Sequence, residues 1–201
     1  MNRHFDKSTI RYYDEHADDY IRSTVGVDMQ SLYKPFLKRI PEGGQLLDAG
    51  SGSGRDSKSF LDRGYSVESI DASQKMVDAT TELTGQAALR TAFQEISYVD
   101  EFDGIWACAS LLHLPLADLP DVFRRFAEAL RTSGVFFASF KEGNGERHQE
   151  GRLFSDMNES SIGKLIAEID DLEIVELWHT DDLRPDRSEK WLNVLLQGRT
   201  S

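Results

Sequence analysis

The chain carries one cysteine, Cys108, in 201 residues, which excludes an internal disulfide and suits the reducing cytoplasm. Long apolar runs are missing. No stretch approaches the roughly 18 apolar residues of a membrane span, so no membrane association is expected. No apolar run follows the basic residues Arg3 and Lys7, so no secretory signal is expected either. Positive charge is scarce, with 23 Lys and Arg against 35 Asp and Glu and a net charge of −12. Such a surface repels nucleic acid and anionic membranes at long range, which makes nucleic acid an unexpected partner. The five histidines, His4, His16, His113, His148 and His179, form no His-x3-His pair, and no metal site is expected.

What remains has the composition of one soluble globular domain: 22.7 kDa, 39% hydrophobic and 29% charged. Its organising stretch is Leu46 to Gly54. The apolar pair Leu46-Leu47 ends in Asp48, as where a buried strand reaches a sheet edge. Gly50, Gly52 and Gly54 follow, and the polar run from Arg55 to Ser59 suits the first turns of a helix. Glycine permits tight turning and lets a ligand approach the backbone. Strand, turn and helix N-terminus together predict a row of N–H donors at the sheet edge. A dinucleotide fingerprint requires G-x-G-x-x-G, and Arg55 stands where its third glycine belongs. The next strand, Tyr65 to Asp71, ends in a carboxylate about 20 residues past the first glycine, the spacing at which an acid meets ribose hydroxyls.

The run Asp48-Ala49-Gly50-Ser51-Gly52-Ser53-Gly54 resembles the first motif of the class I S-adenosylmethionine-dependent methyltransferases. Phe102-Asp103-Gly104-Ile105 resembles the family's fourth strand. The resemblance covers most of the chain from about Tyr12, and Leu111 to Pro115 with Gly151 to Phe154 look like small bacterial members. It implies an α/β, Rossmann-like doubly wound, mostly parallel sheet with an antiparallel C-terminal edge hairpin and an N-terminal helical lid. It further implies one domain: a helical cap over 1–40, a cofactor-binding core over 45–141, and a substrate-side loop with the last strands over 142–201. S-adenosyl-L-methionine is the expected cofactor. The expected activity is methyl transfer to a small polar or anionic molecule. A non-catalytic protein binding the same cofactor, or an NAD(P) oxidoreductase, stand as alternatives.

The resemblance assigns the cofactor to Asp48, Gly50, Ser51, Gly52, Gly54, Arg55, Asp71, Ala72, Met76, Phe93, Gln94 and Cys108. Gln94 stands where family members often have an aspartate near the adenine amino group. Met76 reads equally as a filler of a core gap, Cys108 as a small buried hydrophobe, and Arg55 as a surface arginine. The segment from Tyr13 to Tyr20 matches a Tyr-Asp-x-x-Ala-x-x-Tyr lid, from which Tyr12 and Tyr20 are assigned to cover the cofactor. The stretch Cys108 to His113 departs from the Asn/Asp-Pro-Pro-Tyr/Phe motif of enzymes that methylate adenine or glutamine amino groups. His113, a few residues past the fourth strand, is the candidate base, with the alternative that its ring holds the local turn. Lys141 and Arg152 are the candidate substrate-binding cations; pairing with Glu142 or Glu150 is the alternative.

For local structure, the pattern predicts helices over 1–22 and from Asp28 through Ile40, the latter kinked or divided by Pro35. It also predicts helices from Ala72 to Gly85, from Asp118 to Leu130 and from Glu159 to Ile169. A fifth strand is expected over 135–140, strands over 172–179 and 191–197, and a polar loop from Lys141 to Asn158.

Overall fold

A computed structural model describes residues 7–185 and 187–199. The first six residues of the expected 1–22 helix, His4 among them, lie outside the described residues. Five strands run in parallel: β1 (Gln45–Ala49), β2 (Ser66–Asp71), β3 (Leu89–Arg90), β4 (Phe102–Ala107) and β5 (Leu130–Lys141). A separate hairpin pairs β6 (Gly145–Gln149) with β7 (Arg152–Asp156). The last strands, β8 (Leu172–Asp181) and β9 (Lys190–Gly198), are antiparallel, and the seven-stranded order is β3-β2-β1-β4-β5-β9-β8. The order reverses between β1 and β4. At such a switch point a doubly wound sheet opens a crevice at its strand ends.

Alternation along the strands sorts side chains onto two faces. Leu47, Ile105, Phe136 and Leu196 pack with residues of helices α6 (Leu119–Ala129) and α7 (Glu159–Ala167). Leu46, Trp106, Phe137 and Leu195 pack instead with Leu32, Tyr33 and Phe36 of α3 (Gln30–Leu37) and Phe60 of α4 (Arg55–Asp62). Trp106 is fully buried and stacks on Phe137 at 4.1 Å. The remaining helix of this layer system, α5 (Gln74–Thr84), is closed at both ends as its sequence prescribes. Ser73 Oγ accepts from the Met76 N–H, and Gly85 is left-handed at the C-cap.

Four expectations need correction. The N-terminal helix is two, α1 (Lys7–Glu15) and α2 (Ala17–Thr24), because His16 leaves the helical region at φ −116°, ψ 23°. Pro35 does not divide α3; the helix is short and stops two residues later, at Leu37 rather than Ile40, so little of it is left to break. Its N-cap is Met29, not Asp28, although Asp28 one residue earlier accepts from the Gln30 N–H. The fifth strand begins at Leu130, not at 135, by pairing Leu130 with Phe102 and absorbing Ser133 (φ 66°) in a register shift. The polar loop 141–158 is mostly the β6–β7 hairpin, turning on Glu150 (φ 51°) and Gly151 (φ 76°). Both central residues have positive φ, the I′ geometry that Asn-Gly or Asp-Gly normally announces. Glu-Gly hides it.

Candidate active site

The crevice beyond β1 and β4 holds two adjoining cavities, of about 380 Å³ and about 100 Å³. Tyr13, Tyr20, Ala109 and His113 line both, so they form the junction. Helices α1 and α2 roof it. Asp14 accepts from Ser73 Oγ–H at 2.6 Å, and Thr9 Oγ1 accepts from the Leu153 N–H at 3.0 Å, which ties the roof to α5 and to the hairpin.

The smaller cavity is lined by Gly50, Gly52, Asp71, Ala72, Met76, Phe93 and Gln94, seven of the residues assigned to the cofactor, and by Tyr20. At Gly52 (φ 55°) a Cβ would come within 3.1 Å of the Tyr20 hydroxyl; at Gly50 (φ 88°) it would collide with Ser110. Close approach therefore requires glycine at both. Asp71 accepts from the Gly52 N–H (3.0 Å) and the Ser73 N–H (2.9 Å), which fixes the carboxylate at the cavity wall. Burial raises its pKa to about 6 against these hydrogen bonds.

The loop corrects one expectation. Gly50 and Ser51 donate to the Ile70 carbonyl, Gly52 to Asp71 and Gly54 to the Ser51 carbonyl. These N–H groups are taken up by β2 and by the loop itself because buried donors demand partners. Accordingly Ser51 and Gly54 line neither cavity: Ser51 Oγ bonds Thr80 Oγ1, and Gly54 caps α4 in the left-handed conformation. Asp48 lies beneath, accepting from Ser57 Oγ–H at 2.5 Å. Its burial, then the charge of Asp56, pushes its pKa up to about 8.

Tyr12, Arg55 and Cys108 line the larger cavity and not the smaller. Arg55 is held there by Asp56, through Nε (2.7 Å) and Nη2 (2.9 Å). Burial, then Asp56's charge, drives the Cys108 thiol up to about 12, so it stays protonated. Lys141 and Arg152 also line this cavity. Each is already paired, Lys141 with Glu189 at 2.8 Å and Arg152 with Glu150 at 2.7 Å.

His113 is engaged through both ring nitrogens. Nδ1 lies 2.7 Å from the Leu153 carbonyl, which only accepts, so Nδ1 bears the proton. Nε2 then accepts from the Tyr13 hydroxyl at 2.8 Å. Tyr13, rather than the assigned Tyr12, reaches His113 and borders both cavities. The available signal was the seven-residue spacing from Tyr13 to Tyr20, two helical turns, which selects one face.

Among the described residues no three His, Cys, Asp or Glu side chains cluster as a metal site, and no helix is long and apolar enough to cross a membrane. Residues 47–138, from β1 into β5, match the family model described as a methyltransferase domain. Over that segment the chain is similar to S-adenosylmethionine-dependent methyltransferases. It is 23% identical over 150 residues to magnesium-protoporphyrin O-methyltransferase of Rhodobacter capsulatus, covering 68% of this chain and 66% of that protein. Among solved structures, 1,6-didemethyltoxoflavin-N1-methyltransferase of Burkholderia thailandensis, with 1,6-didemethyltoxoflavin and S-adenosylhomocysteine bound, has a TM-score of 0.77. Its identity is 20%, covering 97% of this chain and 87% of that one. CcbJ methyltransferase of Streptomyces caelestis has a TM-score of 0.73 at 16% identity, covering 96% and 99%. These similarities carry the fold of a methyltransferase and leave the acceptor to be argued from the site.

Proposed function

We propose that the smaller cavity holds the adenosine part of S-adenosylmethionine, with the sulfonium at the cavity junction, and that the methyl group passes there to a small polar or anionic acceptor in the larger cavity. The observation that carries this is the junction itself: Tyr13 and His113 border both cavities, beside a glycine cradle that a Cβ would fill. The magnesium-protoporphyrin and 1,6-didemethyltoxoflavin enzymes act on small molecules by their names, which agrees with a larger cavity at the lower end of the usual small-molecule range. The division into cap, core and substrate-side segment belongs to the same reading.

The cofactor, when bound, supplies an electrophilic methyl on a sulfonium. Asp71 would take the ribose hydroxyls, and Met76 and Phe93 would flank the base. The chain's contribution to the chemistry is chiefly to hold the acceptor atom in line, and to remove a proton where the acceptor bears one. His113 does the latter through Tyr13: the phenol hydrogen passes to Nε2 as the phenol oxygen takes the acceptor's proton. Tyr13 does not ionise on its own, since burial raises its pKa to about 12 despite Arg152 nearby.

Two measurements test this. S-adenosylhomocysteine at 100 times its dissociation constant contributes about 2.7 kcal/mol, which should raise the melting temperature by roughly 5–10 °C, with NAD giving no rise. Stabilisation by NAD alone would refute the assignment. With an acceptor found by screening, Tyr13→Phe and His113→Ala should each cut turnover about a hundredfold. His113→Ala should leave S-adenosylhomocysteine affinity nearly unchanged. Full turnover in both variants would make the pair structural.

A further inference from the structure

Two buried side-chain polar atoms among the described residues have no hydrogen-bond partner, Asn193 Oδ1 and Arg152 Nε. Both residues line the larger cavity. Asn193 sits in the middle of β9, between Ser139 of β5 and Trp178 of β8, in the otherwise apolar run Leu192 to Leu196. It is 0% exposed. Asparagine is disfavoured in strands, and an unpaired buried acceptor costs free energy, so packing alone gives no reason for it there. Its amide orientation is fixed: Nδ2 donates to Thr180 Oγ1 at 3.0 Å and to the Trp178 carbonyl at 3.4 Å, an acceptor that Oδ1 has no means to bond.

Arg152 is prepared in a complementary way. Its guanidinium lies 4.1 Å from the Tyr12 ring centroid and 5.2 Å from that of Phe154, and Nη2 donates to Glu150. Ring contacts and a carboxylate hold the group in place and leave the Nε–H edge without an acceptor. Tyr12, Phe154 and Trp191 give the cavity flat apolar walls.

We propose, resting on the methyl-transfer reading above, that the acceptor is a ring-bearing small molecule with two polar ends. One is a hydroxyl or N–H that donates to Asn193 Oδ1. The other is an anionic oxygen that accepts from Arg152 Nε–H. Asn193 is the residue that selects for the donor, because an analogue lacking it leaves Oδ1 buried and unpaired. The flat walls select the ring, and Arg152 selects the anion by a charge-assisted hydrogen bond.

The test uses protein saturated with S-adenosylhomocysteine and five probes: 2-, 3- and 4-hydroxybenzoate, benzoate without the donor, and phenol without the anion. Titration calorimetry should show at least one hydroxybenzoate binding tenfold or more tightly than both truncated probes. Asn193→Leu should reduce that isomer to the benzoate level, and Arg152→Met to the phenol level. The melting-temperature rise with S-adenosylhomocysteine reports whether each variant is folded; Asn193→Ser replaces Asn193→Leu where the latter is not. The proposal is overturned if no isomer exceeds both truncated probes, or if the preferred isomer keeps its advantage over benzoate in the folded Asn193 variant. Failure of S-adenosylhomocysteine to bind the unaltered protein is a different result. It removes the methyl-transfer reading, while the same probes titrated without it still report on Asn193.

Discussion

Asp71→Ala is expected to weaken S-adenosylhomocysteine binding by more than tenfold while the protein remains folded. The carboxylate is fixed by the Gly52 and Ser73 N–H groups, one on each oxygen, which leaves each oxygen further lone pairs for ribose hydroxyls. Charge-assisted hydrogen bonds of this kind are among the stronger ones, and more than tenfold corresponds to about 1.4 kcal/mol or more. The same site has a pH signature. Accepting from two hydroxyls requires the ionised form, and the pKa raised to about 6 means that the carboxylate protonates as the pH falls through 6. At pH 5 about a tenth remains ionised, so affinity should be about tenfold lower than its plateau above pH 7. Stability without ligand moves the other way. A carboxyl whose folded pKa lies above its unfolded value contributes stability that is full below about pH 4 and lost as the pH rises through about 6. Calorimetry at pH 5 and pH 7.5 checks the binding arm, with Asp71→Asn expected to flatten the profile. Equal affinity of Asp71→Ala and the unaltered protein would remove ribose from this wall.

How much of this was legible in the sequence depended on whether a signal was local. The strand β1, glycine turn, helix α4 and strand β2 read correctly because hydrophobic alternation, glycine spacing and the terminal acid all lie within some 27 residues. The antiparallel pair β8–β9 is what the family resemblance implies, and two strand-like runs with no helix between them suit it. The β6–β7 hairpin did not, because Glu150 occupies a positive-φ position with no sequence signature for it, and alternation in that stretch is mostly charged. The donors of Gly50 and Gly52 read as free because the residues that accept from them, Ile70 and Asp71, come from the next strand. Tyr13 was visible as a residue but not as a partner. Its meaning depends on His113, 100 positions away, and on the Leu153 carbonyl that sets the imidazole tautomer. Asn193 was lost in an apolar run, where only the burial of its unpaired oxygen gives it significance.

The largest stability effect should come from Asp56→Ala, about 3–5 kcal/mol, lowering the melting temperature by roughly 6–20 °C. Asp56 stands in the first turn of α4, where the helix N-terminus favours an anion. It is 7% exposed and collects four hydrogen bonds, from Arg55 Nε and Nη2, the Tyr33 hydroxyl (2.5 Å) and the Trp106 indole N–H (2.9 Å). Burial alone would push its pKa up. The Arg55 charge and these donors outweigh burial and hold the carboxyl below its usual range, so its contribution is present at neutral pH and lost in strong acid. Alanine leaves a largely buried guanidinium, an indole and a phenol without their acceptor at once, under the ring cluster of Tyr33, Phe36, Phe60 and Trp106. Removing the cation as well should restore part of the loss: Asp56→Ala with Arg55→Met is expected to be more stable than Asp56→Ala alone, since no unpaired charge remains. Urea denaturation of the two single variants and the double variant checks the coupling. A loss under about 1 kcal/mol for Asp56→Ala, or strict additivity in the cycle, would show that solvent already screens the pair. The consequence for function is positional. Arg55 lines the larger cavity while Asp56 anchors it to the helix that follows the glycine loop, so one buried carboxylate holds a wall of that cavity and the glycine loop in register.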